Sequence, residues 1–189
     1  MGDLNTGRRG SGGSGPQTAA LSIGGITAPT TPLGNTESWN GTAWTELNDL
    51  NTARGFAGSS GRAPNSATLF FGGYTPATSA LTESWNGTSW TEVGDLLVAT
   101  YFLMGAGETN TSALAFAGSN GSTQLATTQE WDGTSWTEKN DLSTARNTGA
   151  GTGSSTLALM AGGYDGTAST GVTEEWTSPP FSAKTVTTA

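Results

Sequence analysis

Histidine and cysteine are both missing from this 189-residue chain. Without imidazole, histidine-based general acid/base catalysis is excluded. Without thiolate as well, cysteine nucleophiles and ordinary zinc or copper sites are excluded too. No disulfide can form, so cysteine usage leaves the redox compartment open. Basic residues are scarce: 7 Lys and Arg stand against 15 Asp and Glu, a net charge of −8. That balance disfavours non-specific binding to nucleic acid or anionic lipid and favours solubility. There is no run of about 18 apolar residues, so no membrane span is expected, and no stretch of helical period. The N-terminal MGDLNTGRRG lacks the apolar core of a secretory signal, which gives an expectation of a cytoplasmic location. No cofactor is expected.

What the chain does contain is repetition. TESWNGTAWTE at Thr36–Glu46 returns as TESWNGTSWTE at Thr82–Glu92 and as TQEWDGTSWTE at Thr128–Glu138, and a worn copy begins at Thr173. Trp39, Trp85, Trp131 and Trp176 are 46, 46 and 45 residues apart, and Asp-Leu recurs at Asp3, Asp49, Asp95 and Asp141. The chain therefore divides into units 3–48, 49–94, 95–140 and 141–189. A unit of this size cannot bury its own core, so all four are read as one domain spanning 1–189.

Within a unit the patterns are those of short strands. The apolar runs TAALSIGG (18–25), ATLFFGG (67–73), SALAFAG (112–118) and STLALMAGG (155–163) barely alternate, as suits strands covered on both faces. The small-residue segments before them, such as GAGETNT and GAGTGSS, suit strands crowded near a central axis. The Asn-Gly pairs at 40–41 and 86–87, with Asp132-Gly133, predict tight type I′ hairpins between TESW-type and TSWTE-type strands. Four antiparallel strands per unit, repeated at this period, predict an all-β fold: a four-bladed β-propeller. Closure would rest on packing of the first blade against the last through the Trp pairs. Two chains joined into an eight-bladed ring, or pairing of 184–189 outside its own blade, are the alternatives, so a monomer and a homodimer both stay open.

The order of an Arg, an apolar strand ending in Gly-Gly and a hairpin closing on Trp resembles the kelch repeat. It is carried by Arg8, Gly24-Gly25, Trp39 and Trp44; by Arg54, Gly72-Gly73, Trp85 and Trp90; and by Arg146, Gly162-Gly163, Trp176 and Phe181. The third unit departs, with Thr100 in place of Arg and Ala117-Gly118 in place of Gly-Gly. The wording also resembles kelch-like proteins of marine tailed phages. That resemblance implies a virion or tail-fibre-associated protein that binds partners, whereas the fold by itself leaves function open.

Candidate functional residues are few. Arg8, Arg54 and Arg146 each follow an Asp by five residues. They read either as a polar ring that binds an anionic group or a sugar, or as an Asp–Arg brace for each blade. Tyr74 and Tyr164 follow Gly-Gly in a loop where Ile26 and Ser119-Asn120 stand in the other units, and such unequal loop residues are where a propeller holds specificity. Glu37, Glu83 and Glu174 recur at equivalent places, as do Glu46, Glu92 and Glu138, which suits solvated or hairpin-supporting roles better than one catalytic cluster. The expectation is a non-enzymatic binding or structural module that contacts a protein partner or a surface glycan. A glycan-acting carboxylate enzyme and a reconstructed repeat scaffold are the alternatives.

Overall fold

The computed structural model describes residues 2–178. Its strands form four antiparallel sheets laid out as the blades of a four-bladed β-propeller, and it contains no helix among the described residues. The first blade comprises β1 (Gly12–Ser14), β2 (Ala20–Ile23), β5 (Thr36–Trp39) and β6 (Trp44–Glu46), with a small hairpin of β3 (Ile26–Thr27) and β4 (Thr31–Pro32) between β2 and β5. The second comprises β7 (Gly58–Ser59), β8 (Leu69–Phe71), β9 (Thr82–Trp85) and β10 (Trp90–Glu92). The third comprises β11 (Met104–Thr109), β12 (Ser112–Phe116), β13 (Thr128–Trp131) and β14 (Trp136–Lys139). In the fourth, β15 (Ala150–Gly153), β16 (Leu157–Tyr164) and β17 (Ser169–Thr177) are described. The Phe181 and 184–189 positions lie outside the described residues.

In each four-stranded blade the chain runs from the innermost strand to the outermost, and the recurring eleven residues form the outer hairpin. That hairpin is not a two-residue type I′ turn. Trp85 pairs with Trp90, so Asn86 to Ser89 form a four-residue loop in which only Gly87 has positive φ, at 94°. The Asn86 side chain explains the difference. Its Oδ1 accepts hydrogen bonds from the Thr88 and Ser89 N–H groups, both at 2.9 Å, and this local bond closes a longer loop. Asn40 and Asp132 do the same.

The apolar strands are covered on both faces, as their unbroken runs require. Leu69, Phe70 and Phe71 are all 0% exposed. Leu69 and Phe71 join Ala113, Ala115, Trp131 and Trp136 of the third blade in one cluster, whereas Phe70 joins Leu21, Ile23 and Trp90 in another. Leu114 and Phe116 pack in turn on Ala158 and Met160 of the fourth blade. Each such side chain contributes about 1.5–3 kcal/mol by leaving water. Every blade so far described is thus held by its neighbours, which is why one unit cannot fold alone.

Polar links repeat at the same three junctions. The Trp90 indole N–H donates to the Thr36 hydroxyl at 2.9 Å, and Trp136 donates to Thr82 at 3.1 Å. The Gly25 N–H donates to the Arg54 carbonyl, Gly73 to Thr100 and Gly118 to Arg146. At the axis, Phe56 N–H donates to Gly10 O, Phe102 to Phe56 and Thr148 to Phe102. Between the fourth and the first blade, by contrast, no hydrogen bond, ion pair or ring contact joins the described residues. The sequence suggested closure of these two blades through Trp pairs, and Phe181 of the last pair lies outside the described residues.

Candidate functional site

Three blades bury an arginine beneath the outer hairpin, and its partner is not the aspartate five residues before it. Arg8 pairs with Glu37 at 2.9 Å, Arg54 with Glu83, and Arg146 with Glu174 at 2.6 Å. The arginine side chains are 0% exposed. The aspartates stay outside, where Asp95 and Asp141 accept the backbone N–H of Thr82 and Thr128 and cap the hairpin of the preceding blade. The expected Asp–Arg brace is therefore corrected to an Arg–Glu brace. Glu37, Glu83 and Glu174 are interior groups rather than solvated ones, whereas Glu46, Glu92 and Glu138 are exposed.

Each glutamate does a second job. Glu83 accepts the Asn51 backbone and side-chain N–H groups, both at 2.8 Å, and so straps the turn leading into its blade. Glu37 straps Asn5 in the same way, and Glu174 accepts Ser143 N–H at 2.7 Å. Burial would raise the Glu174 carboxyl, but Ser143 N–H and Arg146 outweigh it and hold the group below its ordinary value. Burial lowers the Arg54 guanidinium, and Glu83 partly restores it. Arg54 also donates to the Phe70 carbonyl and sits 5.0 Å over the Phe70 ring. The third blade has lost both charges together. Thr100 stands at the arginine position and Gln129 at the glutamate position, and Gln129 Oε1 still accepts Leu97 N–H at 2.8 Å. Dropping the pair as a unit avoids a lone buried charge.

The side chains of Arg8, Arg54 and Arg146 are thus enclosed within their blades. The tyrosines lie elsewhere. Tyr74 pairs with Gly55, and Tyr164 with Asn147, in isolated bridges that join each loop after the apolar strand to the segment after the arginine. Arg9 with Ile26 and Tyr101 with Ser119 are the equivalent bridges. All four lie at the same end of the ring, and the residues there differ from blade to blade.

That end carries a run of aromatic rings. Tyr74 and Tyr101 lie 6.2 Å apart by ring centroid, Tyr101 and Phe102 4.6 Å, and Phe102 and Phe56 4.4 Å. All four are only partly buried. Tyr164 is 39% exposed, with its hydroxyl donating to Gly166 O. Phe56, Phe102 and Thr148 have φ of 56°, 54° and 54°, a left-handed conformation that non-glycine residues rarely adopt. The axial hydrogen bonds between blades hold them there. A Cβ on Gly10, the residue equivalent to Phe56 in the first blade, would come within 2.4 Å of the Phe56 ring, so glycine is what lets that ring lean over the neighbouring blade.

Tyr74 and Tyr164 thus belong to this face, but they do not meet each other. Tyr74 meets Tyr101. Tyr101, Phe102 and Phe56 escaped the sequence reading. The signal that finds them is their place in the repeat, one and two residues after the Arg54 and Thr100 positions, where the four units write Arg-Gly, Gly-Phe, Tyr-Phe and Asn-Thr. No metal-binding group of carboxylates exists among the described residues. No protein-family model matches this sequence, and no curated protein is significantly similar to it.

Proposed function

We propose that this chain is a non-enzymatic binding module that holds a neutral glycan against the aromatic end of the propeller. The observation that carries the reading is the run Tyr74–Tyr101–Phe102–Phe56, four partly exposed rings from two blades within stacking distance of one another. The C–H faces of a sugar ring are apolar and flat, and an aromatic face covers them while the hydroxyls stay in water. Rings of this kind are also rigid, so little conformational entropy is lost on contact. Arg9 and Tyr164, both exposed, supply polar groups at the rim.

The non-enzymatic part is supported by what the glutamates do. Glu37, Glu83 and Glu174 are tied to arginines in the interior, which leaves them unsuited to donate or accept a substrate proton. The resemblance of the repeat to kelch-like phage proteins supports a reading of the module as part of a virion or tail fibre, where a glycan of a host surface would be its target. A glycan array with the Tyr74→Ala/Tyr101→Ala double variant alongside tests the reading. Selective binding that falls at least tenfold per ring removed is expected, with the thermal midpoint retained. An unmutated chain that binds no glycan, or binding that survives the double substitution, refutes it.

A further inference from the structure

The three junctions define what each blade face is made to meet. Leu21 and Ile23, Leu69 and Phe71, and Leu114 and Phe116 stand at equivalent positions before the Gly-Gly or Ala-Gly pair, are at most 4% exposed, and press on the following blade. In the fourth blade the equivalent of Leu69 is Leu159, which is 37% exposed, and Leu157 beside it is 64% exposed. The receiving side of the first blade is open in the complementary way. Trp90 and Trp136 are each 5% exposed under a preceding blade, whereas Trp44 is only half-buried. Trp44 lines a hollow with Trp39, Ala20, Gln17, Thr18 and Gly41. Ala20 is the equivalent of Ala113, which takes the Leu69 and Phe71 side chains at the second junction.

One end of the chain thus presents apolar side chains of the kind that the other end is shaped to receive, and within one copy the two do not meet among the described residues. We propose that two copies of this chain join head to tail, with Leu157 and Leu159 of each fourth blade seated in the Trp39–Trp44 hollow of the other copy's first blade. The occupant is argued from continuity: the new junction repeats one that the chain already makes three times. Two such contacts related by a twofold axis satisfy both free faces of both copies and close an eight-bladed ring, within the range that propellers span. The repeat register then predicts the polar links. Trp44 Nε1–H donates to Thr173 Oγ1 of the second copy, as Trp136 does to Thr82, and Gly10 N–H donates to its Thr148 O, as Phe56 does to Gly10.

Light scattering after size exclusion reads the mass directly, and twice 19.1 kDa is expected for the unmutated chain. Leu157→Asp/Leu159→Asp on the projecting face and Trp44→Asp on the receiving face should each weaken the dimer at least a hundredfold while the circular dichroism of the blades is retained. Because the chain has no cysteine, an Ala20→Cys/Leu159→Cys variant treated with a short bis-maleimide separates the outcomes even where an aspartate variant fails to fold. Cross-linked species of twice the mass support the proposal. A cross-link within a single chain, a monomeric unmutated chain, or a dimer that survives both aspartate variants overturns it.

Discussion

Glu83→Gln is the perturbation that probes the interior most sharply, because it removes a charge while keeping an acceptor of the same shape. Arg54 would then lie 0% exposed with no counter-charge, its Nε already without a partner among the described residues. Stranding one half of a buried ion pair costs about 3–5 kcal/mol. In a chain of this size a kcal/mol moves the melting point by about 2–4 °C, so a fall of roughly 10 °C is expected. Arg54→Thr alone also destabilises, by about 2–3 kcal/mol, because Glu83 keeps its bonds to Asn51 and Thr52 but loses its charged partner. The double variant copies the Thr100 and Gln129 arrangement of the third blade, in which glutamine still straps the turn through Leu97 N–H. It should therefore cost less than the sum of the singles by about 2 kcal/mol. Urea denaturation followed by tryptophan fluorescence measures all four corners of the cycle. Singles that add to within about 0.5 kcal/mol, or a Glu83→Gln variant as stable as the parent, would refute the argument that the charges stand or fall together.

Two further outcomes follow from the junctions and the hairpins. Trp136→Phe removes the indole donor and leaves the buried Thr82 hydroxyl without its partner, which should lower stability by about 1–3 kcal/mol in chemical denaturation; a change under about 0.5 kcal/mol would show that the inter-blade bond is idle. The Asp132 carboxyl is held below its ordinary value by the Ser135 and Thr134 N–H groups, so its contribution is present above the ordinary carboxylate range and is lost as pH falls through its lowered folded value. Asp132→Asn matches Asn40 and Asn86 of the other hairpins, so it should leave the urea midpoint at pH 7 unchanged and reduce the decline seen below about pH 4; an identical acid decline in parent and variant would sink this reading.

The repeat made much of the architecture legible without coordinates. A 46-residue period, apolar runs without alternation and a hairpin at each Asn-Gly or Asp-Gly pair determine four blades with the hairpin outermost. They do so because local turn chemistry and binary pattern act over a few residues and need no partner from afar. The site was legible only in part. Tyr74 was visible because it breaks the repeat in a loop, but its neighbour in space is Tyr101, 27 residues on and in the next blade. Phe56 and Phe102 looked like ordinary apolar residues until their positive φ and axial hydrogen bonds turned them toward the end of the ring.

The pairing of charges shows the same division. Spacing alone favoured Asp49 for Arg54, five residues apart, over Glu83, 29 residues apart. Tertiary structure reversed that choice, because the arginine turns inward beneath the hairpin, where Glu83 lies 1% exposed, while Asp49 is exposed to water. Sequence determined which residues repeat. Only the three-dimensional arrangement decided which repeats meet, because burial and long-range geometry set the strength of each contact and neither is written in the local spacing.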